Sequence, residues 1–111
     1  MTSGMDQIEP LYSTLGADPL LAEIVDMFVD EIPDRVERLL EQLWSGDLEA
    51  VRRTAHQLKG AAGSYGFETI SPFAAEVESA IRANEPEEAI RLSVKQLVEL
   101  CDRVRHMPRG T

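Results

Sequence analysis

The chain has 111 residues, of which 43% are hydrophobic and only 5% aromatic, and its net charge is −9 from 20 acidic and 11 basic residues. This length predicts one domain with a single core, and the acidic balance argues against nucleic acid or an anionic membrane as partner, because both are bound through excess lysine and arginine. No stretch reaches the roughly 20 apolar residues that span a bilayer, and the first residues carry no signal-peptide pattern, so we expect a cytoplasmic protein.

The N-terminal half begins with two predicted helices. Residues 5–15 predict a short N-terminal accessory helix. Asp18 followed by Pro19 then predicts the start of a long helix, because an acidic N-cap before proline at the first helical position is a common start signal. Apolar residues recur three and four positions apart through residues 19–45 and stay in phase across Pro33. We therefore expect one long helix with a kink at Pro33, with two helices broken there as the alternative.

Three more amphipathic helices follow, each preceded by turn residues, at about residues 48–64, 69–83 and 86–106. The connections are about two to four residues long, which places sequential helices antiparallel. No strand pattern or internal repeat competes with this reading. The predicted fold class is all-α: a single domain, residues 1–111, whose core at about 18–106 is an antiparallel up-down-up-down four-helix bundle.

One face of the second long helix is unusual. The stretch AHQLKGAAGSYGF, residues 55–67, contains three glycines, although each glycine inside a helix costs about 1 kcal/mol relative to alanine. At about 100° per residue, five residues share a face away from the apolar stripe: Arg52, His56, Lys59, Gly60 and Gly63. Missing Cβ atoms beside the histidine let another molecule approach its ring. The lysine can place its ammonium beside an anion on that ring, and a phosphoryl group fits in charge and size.

Ordinary explanations exist for each of these residues taken singly. Gly60 and Gly63 could allow a neighbouring helix to pack closely. A lone histidine on a helix flank is commonly a solvated or hydrogen-bonded residue, and Lys59 and Arg52 could be surface charges. The functional interpretation depends on all of these residues lying on one face of the helix.

A carboxylate is predicted beside the histidine. If the second and third long helices form an antiparallel hairpin about Gly66, the position opposite His56 falls near residues 77–78. Glu78 could then accept a hydrogen bond from Nδ1, which fixes the tautomer and leaves Nε2 nucleophilic. The alternative is an ordinary ion pair between Glu78 and Arg82, four residues on.

At these residues the sequence resembles a histidine-containing phosphotransfer (HPt) domain of bacterial-type phosphorelays. The family pattern is a histidine, a lysine three later, a glycine four later and another glycine ten later, and His56, Lys59, Gly60 and Gly66 fill these places. The likeness covers about residues 18–104 and implies the same four-helix bundle. It implies that His56 accepts a phosphoryl group from a receiver-domain aspartate and passes it to another. Lys59 would neutralise the phosphoryl oxygens, Gly60 would leave room for the receiver, and Gly66 would form the turn.

The resemblance also implies what the protein lacks. It describes a monomeric phosphoryl carrier rather than an enzyme, without a cofactor, because the receiver supplies magnesium and most catalytic groups. The expected partners are receiver domains of response regulators and hybrid histidine kinases, which would dock on a surface that includes Arg52, Arg53, Gly60 and Gly63. The main alternative is a non-phosphorylated adaptor that only docks such domains. A metal-binding bundle would need Glu-x-x-His pairs, and arginines stand three residues before both histidines.

Overall fold

The structure is a computed structural model, and it describes residues 9–107. Within that part the chain forms four α-helices and no strand: α1 (Pro19–Trp44), α2 (Leu48–Ser64), α3 (Ile70–Arg82) and α4 (Glu87–Cys101). The all-helical prediction is confirmed, and the first three helices begin and end within one residue of their predicted bounds. No helix in the described part is both long and apolar enough to cross a membrane.

The first helix is continuous. The carboxylate of Asp18 accepts a hydrogen bond from the N–H of Leu20 at 2.9 Å and caps the helix, with Pro19 at the first helical position. Pro33 lies inside the helix and is exposed, while Val29 and Ile32 beside it are buried. Burial of the apolar stripe on both sides of Pro33 holds the helix together, so the single-helix prediction is confirmed and the two-helix alternative is wrong.

The N-terminal accessory helix predicted for residues 5–15 is not found within residues 9–15. Residues 5–8 lie outside the described part, and residues 9–15 are extended and then turn. The N–H of Leu11 donates to the carbonyl of Arg103 at 2.7 Å, and its carbonyl accepts from the N–H of Arg105 at 3.0 Å. Pro10 has no N–H to donate within a helix, and it biases the residue before it towards extended backbone. The segment therefore pairs with residues 103–105 and does not form a helix.

The same pairing ends α4 early. Helix α4 stops at Cys101 rather than near residue 106, because the backbone groups of Arg103 and Arg105 are engaged with Leu11. The prediction of helix through residue 106 is therefore wrong by about one turn.

The turn between α2 and α3 fixes the register of the two helices. Gly66 has φ +85, a conformation that suits glycine, and a Cβ there would meet the backbone nitrogen of Leu15 at 2.9 Å. The hydroxyl of Ser13 donates to the carbonyl of Tyr65 at 2.6 Å and ties this turn to the N-terminal segment. Further along the hairpin, the hydroxyl of Ser71 donates to the carbonyl of Lys59 at 2.8 Å. The residues of α2 closest to the turn thus meet the first residues of α3.

A mainly aliphatic core joins the helices. Helix α2 buries Val51, Ala55, Leu58 and Ala62, an apolar stripe with spacings of three and four residues. The ring of Phe28 on α1 stacks on Tyr65, with centroids 4.9 Å apart. With this stripe turned inward, the opposite flank of α2 is left facing solvent. The up-down-up-down order of all four helices stays a prediction at this stage.

Candidate functional site

His56 lies on the solvent-facing flank of α2. Its neighbour Ala55 is fully buried, and a step of about 100° around the helix turns His56 away from the core. The imidazole side chain is 58% exposed, and its Nδ1 lies 2.9 Å from Oε2 of Glu78. Glu78 therefore holds the ring by Nδ1, and most of the remaining side chain faces solvent.

Glu78 projects from α3 and is the buried centre of the site. Its side chain is only 4% exposed. Besides His56, Oε2 contacts Nη2 of Arg82 at 3.1 Å, and Oε1 accepts a hydrogen bond from Nζ of Lys59 at 3.0 Å. The two partners considered for Glu78 from the sequence, His56 and Arg82, are thus both present. A carboxylate buried this deeply needs such partners, because removing an unpaired charge from water costs several kcal/mol, roughly.

The charge on Glu78 decides which ring nitrogen of His56 carries the proton. The hydrogen bond from Lys59, and secondarily that from His56, holds the pKa of Glu78 below its ordinary value even though burial acts to raise it. Glu78 is therefore ionised at neutral pH and can only accept hydrogen bonds. In the neutral imidazole of His56 the proton therefore lies on Nδ1, and Nε2 keeps a free lone pair.

Lys59 contacts Glu78, a contact that the sequence pattern did not reveal. The sequence predicts that its ammonium can lie beside an anion on the imidazole. Instead it is bound to the carboxylate, although its side chain remains 37% exposed and is within reach of solvent. The hairpin register could have predicted this contact, because Lys59 lies one turn from His56 on the side of α2 that faces α3.

The two arginines of the predicted docking surface differ. Arg52 donates from Nε to Oε1 of Glu49 at 3.2 Å, and its Nη1 lies 3.9 Å from Glu78. Arg53 is exposed and has no ion-pair partner within residues 9–107. Arg52 is thus part of the charged cluster, whereas Arg53 is available to a partner.

Packing within residues 9–107 does not require the glycines of α2. A Cβ on Gly60 would meet nothing within 4 Å, and one on Gly63 would meet only Oγ of Ser71 at an ordinary 3.4 Å. Close packing of a neighbouring helix therefore does not explain Gly60. What its missing side chain leaves open is the solvent side of the helix beside His56.

The cluster is suited to an anion. Three cationic side chains, those of Arg52, Lys59 and Arg82, surround the carboxylate of Glu78, so this spot is positive on a protein of net charge −9. Positive local potential attracts a dianionic group and stabilises it once it is bound. Within the described residues no group of three or more histidine, cysteine, aspartate or glutamate side chains is arranged to hold a metal ion.

Comparison with known proteins gives one positive result. Neither the curated proteins nor the solved structures include a match to this chain. The family model described as Hpt domain matches residues 23–107, which include α2, α3 and every residue of the cluster around Glu78. A match over most of the chain, with the histidine and the lysine both bound to the glutamate, shows that this protein belongs to the Hpt domain family and has a phosphotransfer role in phosphorelays.

Proposed function

We propose that the protein is a phosphorelay intermediate in which His56 accepts a phosphoryl group from an aspartyl phosphate of one receiver domain and passes it to the aspartate of another. The observation that carries this proposal is the state of the imidazole: Nδ1 is bound to an ionised, buried carboxylate, and the ring is otherwise exposed. A nucleophile held in one tautomer beside an orienting carboxylate is the arrangement that nucleophilic transfer requires.

The transfer balances without a proton leaving the site. The lone pair of Nε2 on His56 forms the N–P bond while the P–O bond to the receiver aspartate breaks, and that electron pair returns to the aspartate as carboxylate. The proton on Nδ1 stays on the ring, which becomes a phospho-imidazolium, and Glu78 stabilises its positive charge. The same steps in reverse pass the group to a second receiver.

Lys59 stabilises the transferred group. Its ammonium is bound to Oε1 of Glu78 in the free protein, and its flexible four-carbon stem lets it turn to the phosphoryl oxygens. Arg82 remains on Oε2 of the same carboxylate. Glu78 therefore keeps a cationic partner while Lys59 is engaged with the phosphoryl group.

A receiver would dock over the exposed flank of α2. Gly60 and Gly63 leave the approach to His56 open, and Arg52 and Arg53 supply positive charge at its edge. Three exposed apolar side chains lie on α1 within roughly 100° of Phe28 around the helix axis: Leu20, Ile24 and Met27. The ring of Phe28 stacks on Tyr65 at the C-terminal end of α2. An apolar patch with charged groups at its border is the usual composition of a protein interface.

Several properties follow from this role and belong to the proposal. The protein acts as a carrier, and the receiver supplies the magnesium and most catalytic groups. We place it in the cytoplasm as a monomer.

The helices follow in up-down-up-down order, which is supported by opposite contact directions in α2 and α3: Lys59 meets Ser71, whereas His56, further from the turn, meets Glu78. The competing function is that of an adaptor that docks receivers without being phosphorylated.

The test is phosphotransfer from a panel of phosphorylated receivers, with the two histidines as a matched pair. We expect the wild-type chain and His106→Gln to gain an acid-labile, alkali-stable phosphoryl group, and His56→Gln to gain none. Labelling of His56→Gln at the wild-type level would contradict the proposal. If no receiver of the source organism labels the wild type while some bind it, the adaptor function is favoured.

A further inference from the structure

Arg52 lies about one helical turn before His56, and Lys59 lies about one turn after it. Residues three and four positions apart are neighbours on a helix surface, with Cβ atoms about 5–6 Å apart. The imidazole therefore has a cationic side chain on each side along the axis of α2. Of these two cations, Lys59 is the one that meets the phosphoryl group in the proposed transfer, and Arg52 has no partner assigned to it in the phosphorylated state.

The guanidinium of Arg52 lies close to the imidazole through a shared carboxylate. Its Nη1 lies 3.9 Å from Oε2 of Glu78, and Nδ1 of His56 lies 2.9 Å from the same oxygen. The arginine side chain is only 23% exposed, so most of it is packed against the protein. Arg52 is thus held close to the ring that carries the phosphoryl group.

Glu49 holds Arg52 in this place in the free protein. Nε of Arg52 donates to Oε1 of Glu49 at 3.2 Å, and Nη2 donates to Oε2 at 2.5 Å. The glutamate side chain is 59% exposed, and an exposed pair three residues apart on a helix contributes little, because water and salt screen it. Arg52 can therefore leave Glu49 at little cost, since water solvates the carboxylate that it leaves.

Arg82, the other arginine of the cluster, is less free to move to the phosphoryl group. Its Nη2 lies 3.1 Å from Oε2 of Glu78, a side chain that is only 4% exposed. When Lys59 turns to the phosphoryl group, Arg82 is the cation that stays on this carboxylate, and its departure would leave a buried charge unpaired. Water reaches the carboxylate that Arg52 leaves, but not the one that Arg82 would leave.

We propose that Arg52 is a second phosphoryl-binding residue, whose guanidinium leaves Glu49 in the phosphorylated protein and binds oxygens of the phosphoryl group on Nε2 of His56. Lys59 and Arg52 then hold the dianion from opposite sides along α2. A planar guanidinium can donate two parallel hydrogen bonds to such a group, which the single ammonium of a lysine cannot. This inference rests on the proposed function, because it requires the phosphoryl group to be on His56.

A chemical phosphoryl donor tests this role without any receiver. With phosphoramidate, Nε2 of His56 forms the N–P bond while the P–N bond of the zwitterionic donor breaks, and its electron pair leaves with ammonia. The chain has two histidines, so every protein compared carries His106→Gln, and His56 gives the phosphohistidine signal in phosphorus NMR. Thermal melts verify that each variant is folded.

The phosphorus signal, followed against pH, gives the pKa of the phosphoryl group. A bound cation favours the dianion and lowers this pKa. Arg52→Gln should therefore raise it by roughly half a pH unit, and Arg52→Lys should recover part of the change. The matched control is Arg91→Gln on α4, which also removes an arginine paired with a glutamate one turn before it, and it should leave the pKa of the phosphoryl group unchanged.

Two results overturn the inference. One is a phosphoryl pKa in Arg52→Gln that equals the value in Arg91→Gln. The other is an equally large change in the pKa of unphosphorylated His56, which would show that Arg52 acts on the ring through Glu78 and not on the phosphoryl group. Either result leaves the proposed function intact, whereas a His56 that takes no phosphoryl group from phosphoramidate or from any receiver overturns both.

Discussion

The protein contains two histidine–carboxylate pairs of almost the same length and very different character. Nδ1 of His56 lies 2.9 Å from Glu78, and Nε2 of His106 lies 2.8 Å from Asp30. The imidazoles are similarly exposed, at 58% and 49%. Neither distance nor exposure of the ring distinguishes the candidate site from the other pair.

The carboxylates distinguish them. Glu78 is 4% exposed and is also bound by Lys59 and Arg82, whereas Asp30 is 68% exposed and within residues 9–107 forms an ion pair with His106 alone. An exposed pair of this kind contributes little, since water and salt screen it. The bound nitrogen differs too: His106 uses Nε2 and leaves only Nδ1, next to its own backbone. The environment of the carboxylate, more than the imidazole, therefore defines the site.

The largest expected effect comes from removing each carboxylate. Glu78→Ala should slow phosphotransfer to His56 by roughly a hundredfold, because the tautomer is no longer fixed and the phospho-imidazolium loses its counter-charge. Asp30→Ala should leave the rate unchanged. Rates with one receiver, together with a thermal melt to verify folding, check this prediction. The transfer rate of Glu78→Gln should lie between those of Glu78→Ala and the wild type, since its amide oxygen can still accept a hydrogen bond from Nδ1. A wild-type rate in Glu78→Ala would show that the buried carboxylate is not needed.

The two lysines of the chain sharpen the comparison. Lys59→Ala should slow transfer by about tenfold to a hundredfold, because a cation that meets the developing charge on the phosphoryl oxygens is lost. Lys95→Ala, which removes the other lysine far from His56, should have no effect. Stopped-flow or quench measurements with the same receiver give both rates. Identical rates in the two variants would leave Lys59 as a partner of Glu78 only.

Two glycines should respond in opposite ways to the same substitution. Gly66→Ala forces a Cβ into a backbone with φ +85 and against the Ser13–Leu15 segment, and should lower the free energy of unfolding by about 1–3 kcal/mol. Gly60→Ala meets open space and should raise it by up to about 1 kcal/mol, since alanine favours the helix. Urea titrations measure both. A destabilised Gly60→Ala variant would identify Gly60 as a packing residue.

The smallest effect is on the pH dependence of stability. The folded pKa of Glu78 is lowered from 4.5, chiefly by the hydrogen bond from Lys59. Its contribution to stability is therefore complete above pH 4.5 and is lost as the pH falls through the lower folded pKa. Urea unfolding across this acidic range should show a shallower loss of stability in Glu78→Gln than in the wild type. The variant Asp30→Asn serves as control, and a wild-type slope in Glu78→Gln would remove Glu78 from this account.

Local periodicity was enough to predict most of the fold. The bounds of α2 and the continuity of α1 at Pro33 follow from apolar spacing and caps, which are properties of neighbouring residues. The opposition of His56 and Glu78 needed only the position of the turn at Gly66. These are the features that depend on short stretches of chain.

The features missed are those that depend on distant residues or on side-chain reach. The segment around Leu11 pairs with residues 103–105, some ninety positions away, and no periodic pattern contains that information. The contact of Lys59 with Glu78 depends on the conformation of a flexible side chain that reaches across the hairpin.

The most direct measurement is phosphorus and nitrogen NMR of the chain after transfer from a phosphorylated receiver. The proposed mechanism predicts one phosphoramidate, with phosphorus bonded to Nε2 of His56 and the hydrogen still on Nδ1. Phosphorus on Nδ1 of His56, on His106 or on no histidine while a receiver is bound would contradict it.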